Sequence, residues 1–275
     1  MSDQINVPHI SVITPVYNGK KFIESCLQSV ISQNCPLLEH LIIDGASSDG
    51  TVEIIKQYAS QYPHIRWISE KDRGQSSAMN KGIRMAQGKI IGILNCDDYY
   101  EPNVLPRILK IFETLPPSSF LAGNCRVFKD DGSIWYINKP CYLNISSILI
   151  GGDNNQFPHN PASYFYHKSL HDKIGFFDES DHYAMDLDFI MRVLLTANLK
   201  YVDEIWGNYR FFKDTKTYIA KENNQLQINK MRVMNIYLKK LPLFEQWRIK
   251  TKRSLKRLKK ELSSKLEKGQ DHDIA

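Results

Sequence analysis

Asp97 and Asp98 stand side by side where an apolar run, Ile90 to Leu94, comes to an end, and Tyr99, Tyr100 and Pro102 follow them. Carboxylates delivered to the C-terminal end of a buried parallel strand lie where open α/β sheets bind ligands. Such a pair suits a hard divalent cation that bridges to phosphate oxygens. The plain alternative is an acidic turn that ends the strand and caps the next helix. A third carboxylate, Asp186, opens a stretch in which Leu187, Ile190, Met191, Leu194 and Leu195 recur at helical spacing. An Asp in a first helical turn is favoured by N–H capping and the dipole alone. At the mouth of a cleft it can also take a proton from an attacking hydroxyl.

The elements that must position these groups follow from the hydrophobic pattern. Strands are expected over residues 9–14, 37–43, 65–69 and 90–94. Each leads through a polar loop into a helical pattern, over 20–33, 52–62, from a Ser76 or Ser77 cap towards Gly88, and over 103–115. Fourfold strand–helix alternation implies parallel strands, right-handed crossovers and helices on both faces. Tyr17, Asp44, Asp72 and the Asp97/Asp98 pair each follow a strand, so all gather on one sheet edge. There an aromatic can stack on a base, Asp44 can accept from base or ribose donors, and the last carboxylates can hold a metal on a diphosphate. Neither GxGxxG nor GxxxxGK[ST] occurs, so phosphate charge is expected to be met mainly by metal. Past Pro116-Pro117 the pattern predicts a hairpin over 120–138 around Asp131-Gly132, a strand over 161–166 and a short helix over 170–177 that stops at Gly175. Residues 142–156 carry no clear pattern.

The chain of 275 residues is long enough for one large domain or a domain with an appendage. Its net charge of +6 is concentrated between Lys239 and Lys268, where twelve Lys/Arg face three Glu, leaving residues 1–238 close to neutral. Five cysteines without CxxC spacing or a nearby His cluster read as reduced thiols. A polar opening, and no apolar run near the roughly 20 residues that span a bilayer, lead us to expect a cytoplasmic protein.

Five motifs in order carry a resemblance. They are Ser11 to Asn18 (SVITPVYN), Asp44-Gly45-x-Ser-x-Asp49-Gly50-Thr51, Asp72-x-Gly74 with Ala78 to Gly82 (AMNKG), Leu94-Asn95-x-Asp97-Asp98, and Ala184-Met185-Asp186-x-Asp188. Together, over about residues 8–215, the chain resembles family 2 glycosyltransferases of the GT-A fold. The resemblance implies a Rossmann-like, open, twisted, mostly parallel sheet flanked by helices. It implies a nucleotide-diphosphate sugar donor with UDP favoured, Mn2+ or Mg2+, and transfer with inversion to a glycan or lipid-linked acceptor. By position, Pro15, Tyr17 and Asn18 would line the base pocket and Asp44 would contact uracil or ribose. Asp72 and Gly74, with Asn80 behind them, would shape the nucleotide loop, and Asp186 would be the base. Asn95 holds a place often taken by Asp, which puts the metal on Asp98 with Asp97 behind it or on the ribose. Met185 replaces the Glu that many relatives carry before the base. His159 and Asp188 are the candidates for acceptor contact, and a basic side chain within 213–217 is a candidate for closing on the diphosphate.

The expected division is a catalytic domain over 1–218, with a nucleotide half (8–115) and an acceptor half (116–218), and a helical basic tail over 219–275. In the tail Phe244, Trp247, Leu255, Leu258, Leu262 and Leu266 recur at three- and four-residue steps among cations. An anionic membrane surface at 239–268 is one reading, which would make the protein peripheral on the inner face of the cell membrane. A partner or homodimer helix, or a helix packed on its own domain, is another. No nucleic-acid partner is expected, because residues 1–238 carry no basic excess. Two other functions compete: a nucleotidyltransferase, which should carry a Gly-rich phosphate loop where Pro15 to Asn18 stand, and a non-catalytic nucleotide-sugar-binding module.

Overall fold

A computed structural model describes residues 9–151, 157–213 and 215–270, with the side chains of residues 216 and 260–270 outside the description. Expectations for 152–156, for residue 214, for Leu262 and Leu266 and for the last five residues therefore lie outside the described residues. In the first half, β1 (Ile10–Val16), β2 (Leu38–Asp44), β3 (Ile65–Ser69) and β4 (Ile90–Ile93) alternate with α1 (Ile23–Ile31), α2 (Thr51–Gln61) and α3 (Gln75–Met85). These strands pair in parallel in the order β3-β2-β1-β4.

The second half adds β5 (Tyr99–Tyr100), α4 (Val104–Phe112), β6 (Ser119–Phe128), β7 (Ile134–Asn138), α5 (Ile145–Ile150), β8 (Tyr164–His167), α6 (Leu170–Ile174), α7 (Met185–Thr196) and β9 (Asn198–Arg210). The sheet continues from β4 through β8, β6 and β9 to β5, with β7 paired to β6. Here the sheet is mixed: β8 runs antiparallel to β4 and β6, β7 to β6 and β5 to β9, while β6 and β9 are parallel. The tight turn between β6 and β7 allows only an antiparallel pair. The expectation of a mostly parallel sheet thus describes residues up to 93, and the rest of the sheet departs from it.

Side chains on alternate strand positions feed two cores, as the two-residue period requires. Ile13, Ile91 and Ile93 pack with Ala78, Met79 and Ile83 of α3 and with Leu187, Ile190 and Met191 of α7. On the other face Ile10, Val12 and Ile90 pack with Cys26 and Val30 of α1 and with Leu105 and Ile108 of α4. After β9 come α8 (Lys216–Glu222), α9 (Gln225–Lys239) and α10 (Leu243–Gln270). Val233, Tyr237 and Leu238 of α9 and Ile249 of α10 are buried in the same core as α3 and α7. The core therefore continues past residue 218, where the sequence suggested an appended tail.

Two local expectations are corrected. The first strand runs on through Pro15 instead of breaking there. The His9 and Ile13 carbonyls accept from β4-side N–H groups and that of Val16 from Gly45, so odd positions face β4. Pro15 is odd and lies beyond Ile13, the last residue of β1 registered to β4, so its missing N–H leaves no ladder bond unmade. In α3, Ser76 and Ser77 are buried inside the helix rather than capping it, and Gly74 holds the cap position at φ +117°. A left-handed φ of this kind suits glycine.

Gly207 of β9 lies so close to the turn at 161–163 that an added Cβ would sit 2.6 Å from both the Cβ and the carbonyl oxygen of Ala162. Backbone cannot yield as a side-chain tip does. Gly207→Ala is therefore expected to lose about 1–3 kcal/mol of stability in denaturant unfolding. Leu195→Ala, at a side chain 52% exposed, is expected to stay within about 0.5 kcal/mol.

Candidate active site

The loops after β1, β2 and β3 meet at one edge. The exposed ring of Tyr17 and the Asp72 carboxylate flank Gly45, where an added Cβ would come within 3.4 Å of Tyr17 Cδ2 and 3.0 Å of Asp72 Oδ2. A side chain at 45 would fill the gap between ring and carboxylate. Asn18, at φ +50°, fastens the first loop to the second: its N–H donates to Ser47 Oγ (2.7 Å) and its Oδ1 accepts from Ser48 N (3.0 Å). Asp44 is fully buried and accepts from Ser47 N (3.0 Å) and Ser69 Oγ (2.6 Å), so it braces the loops after β2 and β3. Asp72 Oδ1 accepts from Gly74 N (2.9 Å), which sets the turn into α3.

The carboxylate pair after β4 divides into two unlike groups. Asp98 is fully buried, and Asn160 Nδ2 (2.7 Å) and Asn95 Nδ2 (3.1 Å) donate to its Oδ2 while Arg210 N (3.2 Å) donates to Oδ1. Burial, then the charge of Asp97, pushes its pKa well above the usual carboxylate range. Asp97 is partly exposed, and no side chain among the described residues is seen to donate to its carboxylate. Burial raises its pKa as well, and the Arg210 guanidinium pulls it back. Arg210 itself lies 4.8 Å over the Tyr99 ring and donates to the Asp97 carbonyl (3.1 Å) and Ser25 Oγ (3.3 Å).

Both oxygens of Asp98 are engaged by protein donors, whereas no side chain among the described residues is seen to donate to the Asp97 carboxylate. Among the described residues no three His, Cys, Asp or Glu converge. The donor set fits a hard cation that takes one carboxylate from the protein and its other oxygens from phosphate and water. The negative charge held near Asp97 and Asp98 against desolvation is what such an ion would compensate.

Asp186 stands in the first turn of α7 and lines a cleft of about 590 Å3 with Gln75, Asn95, Asn160 and His159. Gln75 Nε2 donates to Asn95 Oδ1 (2.9 Å), joining the head of α3 to the carboxylate loop. The turn into α7 is closed by Asp181, which accepts from the N–H groups of Tyr183 and Ala184, both at 2.9 Å. Asp181 rather than Asp186 thus closes that turn, and Asp186 stands where the helix dipole favours a carboxylate. His159 shares the cleft; Tyr136 Oη lies 3.1 Å from its Nδ1, and burial together with the Lys230 charge lowers its pKa to about 4.

Three expected contacts point elsewhere. Asn80 is buried and spent on Phe177, donating to its carbonyl (2.9 Å) and accepting from its N–H (3.0 Å). Asp188 is held by Arg192 (2.9 Å) and by the Tyr237 hydroxyl (2.8 Å), which links α7 to α9, and it is not among the residues that line the cleft with Asp186. Pro15 is buried within β1 and presents no ring to a base. Conversely, Asn160, Arg210 and Gln75 escaped the sequence reading. The one available signal was Arg210, a lone cation in the aromatic run Tyr209-Arg210-Phe211-Phe212.

A family model described as glycosyl transferase family 2 matches residues 11–193. The chain is 36% identical over 231 residues to a hyaluronan synthase of Pasteurella multocida, covering 81% of this chain and 23% of that one. It is 28% identical over 239 residues to a chondroitin synthase of Escherichia coli, covering 86% and 33%. The chain thus spans no more than a third of either relative. Among solved structures, S. aureus TarS in complex with UDP-GlcNAc superposes with a TM-score of 0.66 at 19% identity, over 89% of this chain and 70% of that one. A mannosyltransferase of Pyrobaculum calidifontis in complex with GDP-Man and Mn2+ superposes with a TM-score of 0.59 at 19% identity, over 79% and 61%. These two share the GT-A fold with this chain.

The lowered pKa of His159 has a consequence for stability. Its imidazole is neutral when folded down to about pH 4 but takes a proton near pH 6.5 when unfolded. Stability is therefore lost as pH falls through that window. The raised carboxyls after β4 act in the opposite sense, favouring the folded state at low pH, and do so equally in parent and variant. His159→Gln is expected to flatten the loss of stability between about pH 6.5 and 4, read by denaturant unfolding at stepped pH; an unchanged slope would contradict it.

Proposed function

This chain belongs to glycosyl transferase family 2, and on that premise we propose that it is an inverting transferase. In this reading it moves a sugar from a nucleotide-diphosphate sugar to a hydroxyl of a glycan or lipid-linked acceptor in cell-envelope polysaccharide or glycolipid synthesis. The observation that carries the reading is Asp186 in a cleft that also exposes Gln75 and Asn95 beside the Asp97 loop. UDP is the favoured carrier, in keeping with the structural neighbour that holds UDP-GlcNAc.

The base stacks on Tyr17 over Gly45 with Asp72 beside it, and the diphosphate lies towards Asp97 and Arg210. Asp97 would hold a divalent cation, Mn2+ or Mg2+, which when bound supplies a positive charge to offset that building on the leaving diphosphate. Asp98 keeps its neighbour in place. Asp186 accepts the proton of the acceptor hydroxyl as that oxygen attacks the anomeric carbon from the face opposite the diphosphate. One carboxylate suffices because the leaving group needs no protonation, whereas glycosidases use two. The first loop carries Pro15 to Asn18 in place of a Gly-rich phosphate loop, which disfavours a nucleotidyltransferase.

The same reading places the enzyme at an anionic membrane surface through α10. Its inner side is pinned by buried Ile249, by Arg253 on the Leu149 carbonyl and by Lys256 on the Gly151 carbonyl (2.8 Å). Leu243, Phe244, Trp247, Leu255 and Leu258 are all more than half exposed on the other side. No helix among the described residues is long and apolar enough to cross a membrane, so the contact would be interfacial.

Asp186→Asn is expected to lower kcat by about 10²–10⁴-fold while UDP affinity stays unchanged; sugar transfer at the parental rate would sink the assigned base. Asp97→Asn is expected to abolish the extra thermal stabilisation that Mn2+ adds to UDP, read in a thermal-shift titration with and without metal. Phe244→Glu with Trp247→Glu is expected to abolish co-sedimentation with vesicles containing phosphatidylglycerol; undiminished sedimentation would exclude α10 as the contact.

A further inference from the structure

A second groove, of about 450 Å3, opens beside the cleft that holds Asp186, and the two share Trp135, Phe211 and Lys221 as a common wall. Trp135 projects from β7 with 44% of its surface exposed and lies against Phe211 at a centroid distance of 5.4 Å. Phe211 in turn meets Tyr218 at 5.4 Å, so a run of ring faces leads outward from the catalytic cleft. These rings are not core: the aromatics buried within β8 pack inward on Phe120 and Phe189. Flat rings along an open groove match the C–H faces of sugar rings, which are large and apolar while their hydroxyls stay solvated.

Two ammonium groups stand along this wall. Lys221 lies over both Trp135 (5.1 Å) and Phe211 (5.2 Å). Lys230, half-buried in the cleft, lies 5.8 Å from the Phe157 ring, and its charge reaches His159. Among the described residues neither lysine makes an ion pair with a carboxylate. Asp130 and Asp131 line the second groove together with Lys129; Asp131 accepts from Ser133 N (2.8 Å) and Asp130 from Lys213 N (3.1 Å). Lys221 is exposed, whereas Lys230 is partly buried and burial lowers its pKa; a partly desolvated ammonium without a counter-charge is costly unless a ligand brings one.

We propose that the cleft and the groove form one acceptor channel, which holds successive residues of a glycan bearing anionic groups, with Trp135 under the outer sugar and Lys221 and Lys230 on the anion. The anion is a uronate carboxylate or a phosphodiester; both present planar or tetrahedral oxyanions to ammonium donors. The channel rests on the transferase reading, because only a transferase needs an acceptor beside Asp186. It adds a substrate class: an acidic oligomer already several residues long, supplied by an earlier polymerising or transferring step.

The test is calorimetric titration of the full-length protein in the presence of UDP and Mn2+. The probes are a hexasaccharide of alternating glucuronate and N-acetylhexosamine, its carboxyl-reduced counterpart, the matching disaccharide, and an oligomer of glycerol phosphate. One acidic oligomer is expected to bind, which identifies the source of the anion. Lys230→Met should weaken that oligomer by at least about tenfold, or about 1.4 kcal/mol, and Lys230→Arg should restore most of it. Trp135→Ala should weaken the oligomer while changing a disaccharide little. Binding of neither acidic oligomer overturns the channel, as does equal affinity for the hexasaccharide and its reduced form when the hexasaccharide is the one that binds. A Lys230→Met variant that keeps its melting temperature but loses UDP in place of the oligomer assigns that lysine to the donor and also overturns it. Failure of the parent to bind UDP would instead count against the transferase reading itself.

Discussion

A single buried carboxylate joins the two halves of this molecule. Asp98 follows β4, yet its three donors come from three separated stretches: Asn95 beside it, Asn160 before β8 and the backbone of Arg210 at the end of β9. A carboxyl group out of water is tolerated only where hydrogen-bond partners replace its hydration. Asp98 therefore requires those segments to meet, and where they meet the sheet changes from parallel to mixed.

A second set of polar ties fixes the distance between donor edge and acceptor cleft. Gln75 to Asn95 joins α3 to the carboxylate loop, Asn80 holds the 177–179 segment, and Arg73 pairs with Glu179 (2.7 Å). Asp181 closes the turn into α7 and accepts from Arg232 of α9. Through these contacts the head of α7, and Asp186 with it, is set against the nucleotide side by α3 and braced from behind by α9. The C-terminal helices thus support the site as well as offering an outer face to solvent. Lys221 and Lys230 reach the cleft only because α8 and α9 fold back across it.

The parallel half was legible because its strands are short runs rich in Ile, Leu and Val and each loop is marked by Gly, Pro, Asn or Asp. Strand β3 was placed to the residue and β2 within one. The mixed half was read in pieces. The 120–138 hairpin was found from Asp131-Gly132, but the extent of β9 was not, since its thirteen residues carry scattered charges and give no clean alternation. Asp186, Tyr17, Asp44, Asp72 and the Asp97/Asp98 pair stood out in the sequence because charge or an aromatic at a strand or helix end is a local pattern. Asn160 and Gln75 were not found, because a neutral amide in a loop gives no sign of what it will meet. Asn80 and Asp188 were assigned to ligands by position within a motif, and packing gave them protein partners instead.

By itself the sequence determined the alternating α/β core, the edge on which the chemistry collects and the identity of the carboxylates, because those depend on periodicities of two and 3.6 residues and on residue type. Tertiary structure alone decided which carboxylate of the pair is held by protein donors, since two of the three donors on Asp98 lie more than sixty residues away in the chain. It also decided that the basic helices brace the core and that two lysines enter the cleft beside Asp186. Long-range contacts of this kind have no local signature: the same Lys in an amphipathic pattern serves equally on a solvated face or at a buried wall until the fold brings a partner to it.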